Sequence, residues 1–218
     1  MKRALVALVL VVASSTANAG LSFSELSTAT RTEAFNVSGL PVLDVGTILK
    51  LGTLATDIAG TITFSYLGQE SGYVNKFFLT VGPTQSLLES NPIGSSISAF
   101  VGSIGPISFG FEENFEENTG GYAVNGGNWD IRTSIGLVGT NMTVSSGGAA
   151  GIYDFVLGYN DSAGAVKLGD WDDFVVGVRF APVVSAVPEP EAYAMIGLGL
   201  AVLGWLGRRK KSKESIAV

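Results

Sequence analysis

Short apolar runs separated by glycine fill the middle of this chain, and that rhythm restricts what it can build. Thr61-Ile62-Thr63-Phe64-Ser65-Tyr66-Leu67 alternates polar and apolar residues with a period of two, as a half-buried strand does. Comparable runs cover 73–81, 97–101, 106–111, 129–137, 141–145, 152–159 and 173–180. The turns between them carry Gly102 and Gly105, Gly120-Gly121, Asn125-Gly126-Gly127 and Gly147-Gly148, residues suited to positive φ. No helical stripe exceeds two turns. The pattern predicts an all-β body, a β-sandwich of jelly-roll-like kind. Residues 40–60 and 83–96 read as loops or edge excursions, with a short helical piece at Leu87-Leu88-Glu89. Phe174, Val176, Val178 and Phe180 fall on one face and are expected in the core.

The two ends differ from this body. Lys2-Arg3, an apolar stretch from Ala4 to Ala13, and Ala17-Asn18-Ala19 before Gly20 have the three parts of a signal peptide. Cleavage is expected between Ala19 and Gly20. Near the other end, Val187-Pro188-Glu189-Pro190 leads into an apolar run from Ala192 to Gly207 that stops at Arg208-Arg209-Lys210-Lys211. Cations halt an inserting helix and stay on the cytoplasmic side, so the body is expected outside the cytoplasmic membrane. At about 1.5 Å per residue the run reaches roughly 24 Å, short of the roughly 30 Å hydrocarbon core.

The Pro-Glu-Pro, apolar helix and Arg-rich end resemble the PEP-CTERM sorting signal of Gram-negative bacteria that make exopolysaccharide. The resemblance covers residues 187–211, with Val187, Pro188, Glu189, Pro190, Arg208 and Arg209 as the sorting residues. It implies an exosortase, a membrane transpeptidase, as processing partner, and signal peptidase acts at the other end. An ordinary permanent anchor with a stiff proline linker is the alternative. The expected organisation is a signal peptide at 1–19, a β-sandwich body at 20–184, a linker at 185–191, a transmembrane sorting helix at 192–207 and a basic cytoplasmic tail at 208–218. The membrane-anchored form would be an intermediate on the way to the cell surface or extracellular matrix.

Composition narrows the chemistry. The chain has no Cys, so no disulfide holds it, and no His, which removes the commonest general base and transition-metal ligand. Catalytic triads and zinc sites cannot be built from these residues. The body carries six basic and sixteen acidic residues, a formal charge of −10, which repels nucleic acid and attracts divalent cations.

Acids concentrate between Glu112 and Asp173. Asp161 and the run Gly169-Asp170-Trp171-Asp172-Asp173 bracket a loop between two expected strands, making Asp161, Asp170, Asp172 and Asp173 candidate Ca²⁺ ligands. For their charges to stay wet, Asp170 and Asp172 must lie in the turn before the last strand. The segment is similar to the aspartate-rich endings of extracellular β-domains in several bacterial surface proteins, a resemblance that implies a surface module with a bound cation and does not extend to an activity. A solvated acidic hairpin is the plainer reading.

Glu112-Glu113-Asn114-Phe115-Glu116-Glu117 supplies the carboxylates that a glycosidase would need, but adjacent acids in a Gly-flanked loop favour solvation, and no catalytic residue is assigned. Tyr122, Trp129 and Trp171, near Asn125-Gly126-Gly127, are candidates for stacking on sugar rings. The expected function is that of an exported, non-enzymatic surface or matrix protein associated with exopolysaccharide or biofilm. A lectin-like module is the alternative, and a carboxylate hydrolase is a weaker one.

Overall fold

The computed structural model describes residues 20–113, 121–127, 134–145, 147–161 and 169–183, together with Leu198 and Leu200. The chain divides into two units, 1–183 and 184–218. Among the described residues the first unit is all-β. Its strands are β1 (Leu21–Thr30), β2 (Ile48–Thr56), β3 (Gly60–Gly68), β4 (Lys76–Leu79), β5 (Gln85–Leu88), β6 (Ser96–Val101), β7 (Gly105–Pro106), β8 (Phe109–Glu112), β9 (Tyr122–Val124), β10 (Ser134–Val144), β11 (Gly151–Asn160) and β12 (Phe174–Pro182). The larger sheet runs β1-β2-β10-β11-β12-β3-β6, with β7 added to β2, and the smaller runs β5-β4-β8-β9. Every pairing among these strands is antiparallel.

Alternation along the strands puts one face of each sheet into a shared core, consistent with the sandwich expectation. Phe64, Tyr159 and Phe174 from the larger sheet meet Phe77, Phe109 and Phe111 from the smaller. Phe111 stacks on Tyr159 with centroids 4.9 Å apart, and Phe64 lies 4.7 Å from Phe77. Each such side chain contributes about 1.5–3 kcal/mol by leaving water, so this aromatic seam dominates the cohesion of the two layers. Phe174, Val176 and Val178 are in this core and Phe180 packs on it, as their spacing predicts.

The outer face of the larger sheet is also covered. Phe35, Val37, Leu40, Val138, Tyr153, Val156 and Val175 form a second apolar cluster there. Burial on both faces explains why residues 174–178 are continuously buried. Gly177 permits it: a Cβ there would stand 2.4 Å from the Tyr153 ring.

Three sequence expectations need correction. Residues 40–60 contain β2, which lies between β1 and β10 and is not an edge excursion. Its buried Leu49, Leu51 and Leu54 are interrupted by Lys50 and Thr53, an alternation obscured by its glycine. The segment around Leu87-Leu88 is strand β5, because it gains cross-strand partners on β4, with Phe77 opposite Leu87. The described parts of the two runs expected at 129–137 and 141–145 belong to one strand, β10 (Ser134–Val144), continued through Asn141 at φ 50° and a register shift at Leu137/Gly139.

Strand direction fixes two poles. β12 runs from Phe174 at one to Pro182 at the other, and Pro182 pairs with Gly60. Gly20, the first described residue, is at the Pro182 end: a Cβ on it would meet the Phe180 ring. Among the described residues no helix is long and apolar enough to cross a membrane. The apolar helix expected over 192–207 lies outside the described residues except for Leu198 and Leu200, both helical.

Candidate functional site

The acids expected to act together gather at the Phe174 pole. β11 ends at Asn160, so Asp161 follows it directly, and Gly169–Asp173 enters β12 alongside. The backbone N–H of Asp161 donates to Asp173 Oδ2 at 2.7 Å. Asp161 Oδ2 accepts hydrogen bonds from the Ser71 hydroxyl and from Asn75 Nδ2, each at 2.5 Å. Asn75, itself fully buried, also donates its backbone N–H to Glu89 Oε1 at 2.9 Å.

Asp170 and Asp172 have different partners. Asp172 Oδ2 accepts the Asn36 N–H at 2.6 Å, and Asp170 Oδ1 accepts the N–H of its neighbour Trp171 at 2.9 Å. The nearby cation is Arg31, buried, with its guanidinium 5.2 Å from the Phe35 ring centroid and Nη2 donating to the Glu33 carbonyl at 2.8 Å. Arg31 Nε and Nη1 and Asp172 Oδ1 have no hydrogen-bond partner among the described residues.

All four aspartates are buried, which corrects the expectation of a wet acidic turn. They do lie outside the strands, as expected, but the loops at 31–47 and 69–75 close over them. Electrostatics record the cost of that closure. Burial pushes the Asp172 carboxyl up to about 6 against the opposing Asn36 hydrogen bond and Arg31 charge. Asp173 is raised by burial and then by the charges of Asp161 and Asp170. Glu89 is raised to about 7, again mainly by burial, and Glu113 is raised for the same reason. Burial lowers Arg31, while Asp172 and Asp170 act in the other direction.

These carboxylates pin loops. Asp161, Asp172 and Asp173 accept from backbone or neutral side-chain donors on other segments, which holds the pole closed, whereas Asp170 bonds within its own turn. Among the described residues no three Asp or Glu side chains are placed to hold a metal ion. Asp161 and Asp173 are directed at one set of partners, and Asp170 and Asp172 at another.

The aromatic candidates separate. Trp171 is fully buried and donates its indole N–H to Ser134 Oγ at 3.0 Å, so it presents no face to a sugar. It has φ 58°, and its ring occupies space that a Cβ on Gly136 or Gly169 would need. That removes Trp171 as a stacking residue, because the turn swings it inward. Tyr122 is exposed on β9. Its neighbour Asn125 is fully engaged, bonding the Leu54 N–H and the carbonyls of Leu54 and Ile107. Trp129 lies outside the described residues.

Of the glutamate run, Glu112 is paired with Lys76 at 2.5 Å and Glu113 is buried, while Glu116 and Glu117 fall outside the described residues. Sequence reasoning missed Asn36, Ser71, Asn75, Glu89 and Arg31. Arg31 had a signal, as one of six basic residues in an acidic body. Asn75 had none, being 86 positions from the aspartate it binds.

The sorting residues Val187, Pro188, Glu189, Pro190, Arg208 and Arg209, and Ala17 and Ala19 of the cleavage site, lie outside the described residues, whereas Gly20 is the turn that opens β1. No curated protein and no solved structure matches the chain. A family model described as the PEP-CTERM protein-sorting motif matches residues 186–210. The chain therefore carries a PEP-CTERM sorting motif, which implies an exported protein, anchored in the membrane before processing and sorted by an exosortase.

Proposed function

We propose that this is a non-enzymatic protein of the cell surface or extracellular matrix, released there by signal peptidase at Gly20 and by exosortase near Pro190, and working within an exopolysaccharide layer. The sorting motif at 186–210 carries the reading. An acidic body without His or Cys supports the absence of catalysis, and among the described residues Asp161, Asp170, Asp172 and Asp173 are tied into loop contacts and Glu112 into an ion pair. A glycosidase needs two carboxyl groups facing a shared cleft. Glu112 and Glu113 are instead held by Lys76 and by burial. Glycan binding would have to rest on Tyr122 among the described residues, which makes it the weaker reading.

Deleting residues 188–218 in the native host tests the sorting half. Surface delivery is expected to be lost, with the body retained in the periplasm or shed. Unchanged delivery would contradict the proposal.

A further inference from the structure

The pole opposite the acids has a different surface. Gly20 accepts the Asp57 N–H at 3.2 Å, Ala59 accepts the Val183 N–H at 3.0 Å, and Thr56 both pairs with Gly105 and donates its hydroxyl to the Ser103 carbonyl at 3.1 Å. These bonds bring four backbone segments to one end of the larger sheet. Ile58 stands between Asp57 and Ala59, Ile104 between Ser103 and Gly105, and Phe100 pairs with Thr61, itself paired with Ala181. Ile58, Phe100, Ile104 and Val183 are therefore grouped on adjacent backbones, and they are 37%, 59%, 75% and 59% exposed. Single exposed apolar residues need no explanation, but four large ones at one end of a sheet do.

Connectivity supplies the explanation. β12 leaves the body through Val183, and nine peptide steps later the apolar run begins at Ala192. Even fully extended, those steps span only about 30 Å. Gly20, where the N-terminal apolar stretch joins, is at the same end. Both apolar flanks of the chain are thus attached to the pole that exposes Ile58, Phe100, Ile104 and Val183. The buried aspartates precede Phe174, about 26 Å away along β12. An anionic lipid surface would turn them outward. Val42, Val45 and Ile48 are also exposed, but they lie toward the pole of the buried aspartates, away from Val183.

We infer that the Ile58/Phe100/Ile104/Val183 pole is a lipid-contacting surface that rests on the membrane interface while the unprocessed chain is tethered. Apolar side chains buried in the headgroup boundary add to a neighbouring anchor without crossing the bilayer. The contact presents the linker at the membrane, where a membrane transpeptidase works. The inference rests on the tethered state of the proposed function.

The natural absence of Cys permits a direct test on the full chain. Ile104→Cys and Val45→Cys, each labelled with a small fluorophore, are mixed with vesicles of phosphatidylethanolamine and phosphatidylglycerol carrying a nitroxide-labelled lipid, and the bound fraction is isolated by flotation. The label at 104 is expected to be quenched several-fold more than the label at 45. Equal quenching at the two positions in the floated fraction would overturn the lipid contact and leave the tether intact. A chain that fails to float would overturn the tether itself, and the contact with it. Phe100→Ser placed beside Ile104→Cys is expected to reduce the quenching without reducing flotation, because the anchor is elsewhere.

Discussion

The indole N–H of Trp171 reaches the hydroxyl of Ser134 at 3.0 Å across a fully buried contact, joining the loop before β12 to the start of β10. Trp171 also packs with Ala29, Leu49 and Leu51 from β1 and β2. Trp171→Ala should therefore lower stability by about 3–5 kcal/mol in urea unfolding, with Ser134→Ala costing about 1–3 kcal/mol by leaving the indole donor unpaired. If Trp171→Ala were neutral, the indole would be no part of the core.

Gly177 lies against the Tyr153 ring, which also carries the Arg179 guanidinium 4.1 Å from its centroid. Gly177→Ala is expected to cost about 1–3 kcal/mol through overpacking. Combining it with Tyr153→Ala should recover part of that loss relative to the sum of the single changes. Strict additivity of the two unfolding free energies would contradict the contact.

Glu89 sets a pH dependence whose sign follows from its burial. Its folded pKa is raised from 4.5 to about 7, so the folded state holds the proton more tightly than the unfolded chain. Stability from this group is full below 4.5 and is lost as pH rises to about 7. Thermal unfolding across that window should show a falling Tm, and Glu89→Gln should flatten the slope. A Tm that rises across the window and is unaffected by Glu89→Gln would refute the assignment.

Calcium offers a separate check on the acidic pole. Because Asp161 and Asp173 are satisfied by Ser71, Asn75 and a backbone N–H, millimolar Ca²⁺ is expected to leave the Tm unchanged. Saturating a preformed site at a hundred times its dissociation constant would add about 2.7 kcal/mol. A rise that Asp170→Asn with Asp172→Asn abolishes would restore these aspartates as ligands.

How far the fold was legible depended on the length scale of the interaction. β3, β6, β11 and β12 were visible because alternation and flanking glycines are local. β2 and β5 were not, since Gly52 interrupts one pattern and β5 is only four residues long, with its partners on another strand. At the acidic pole the residue types were visible, but their burial was not. Loops from 31–47 and 69–75 enclose those aspartates, and nothing near 161 or 170 in the sequence announces Asn36 or Asn75. Trp171 shows the same limit: its inward turn depends on positive φ and on the room left by Gly136 and Gly158 of β10 and β11 and by Gly169 of its own loop.

Exosortase sorting is tested most directly by the intact mass of the protein recovered from the outer surface of its native host. A product beginning at Gly20 and ending near Pro190 is expected, which requires both processing steps. A surface product that retains Ala192 to Val218 would mean a permanent anchor and would contradict exosortase processing.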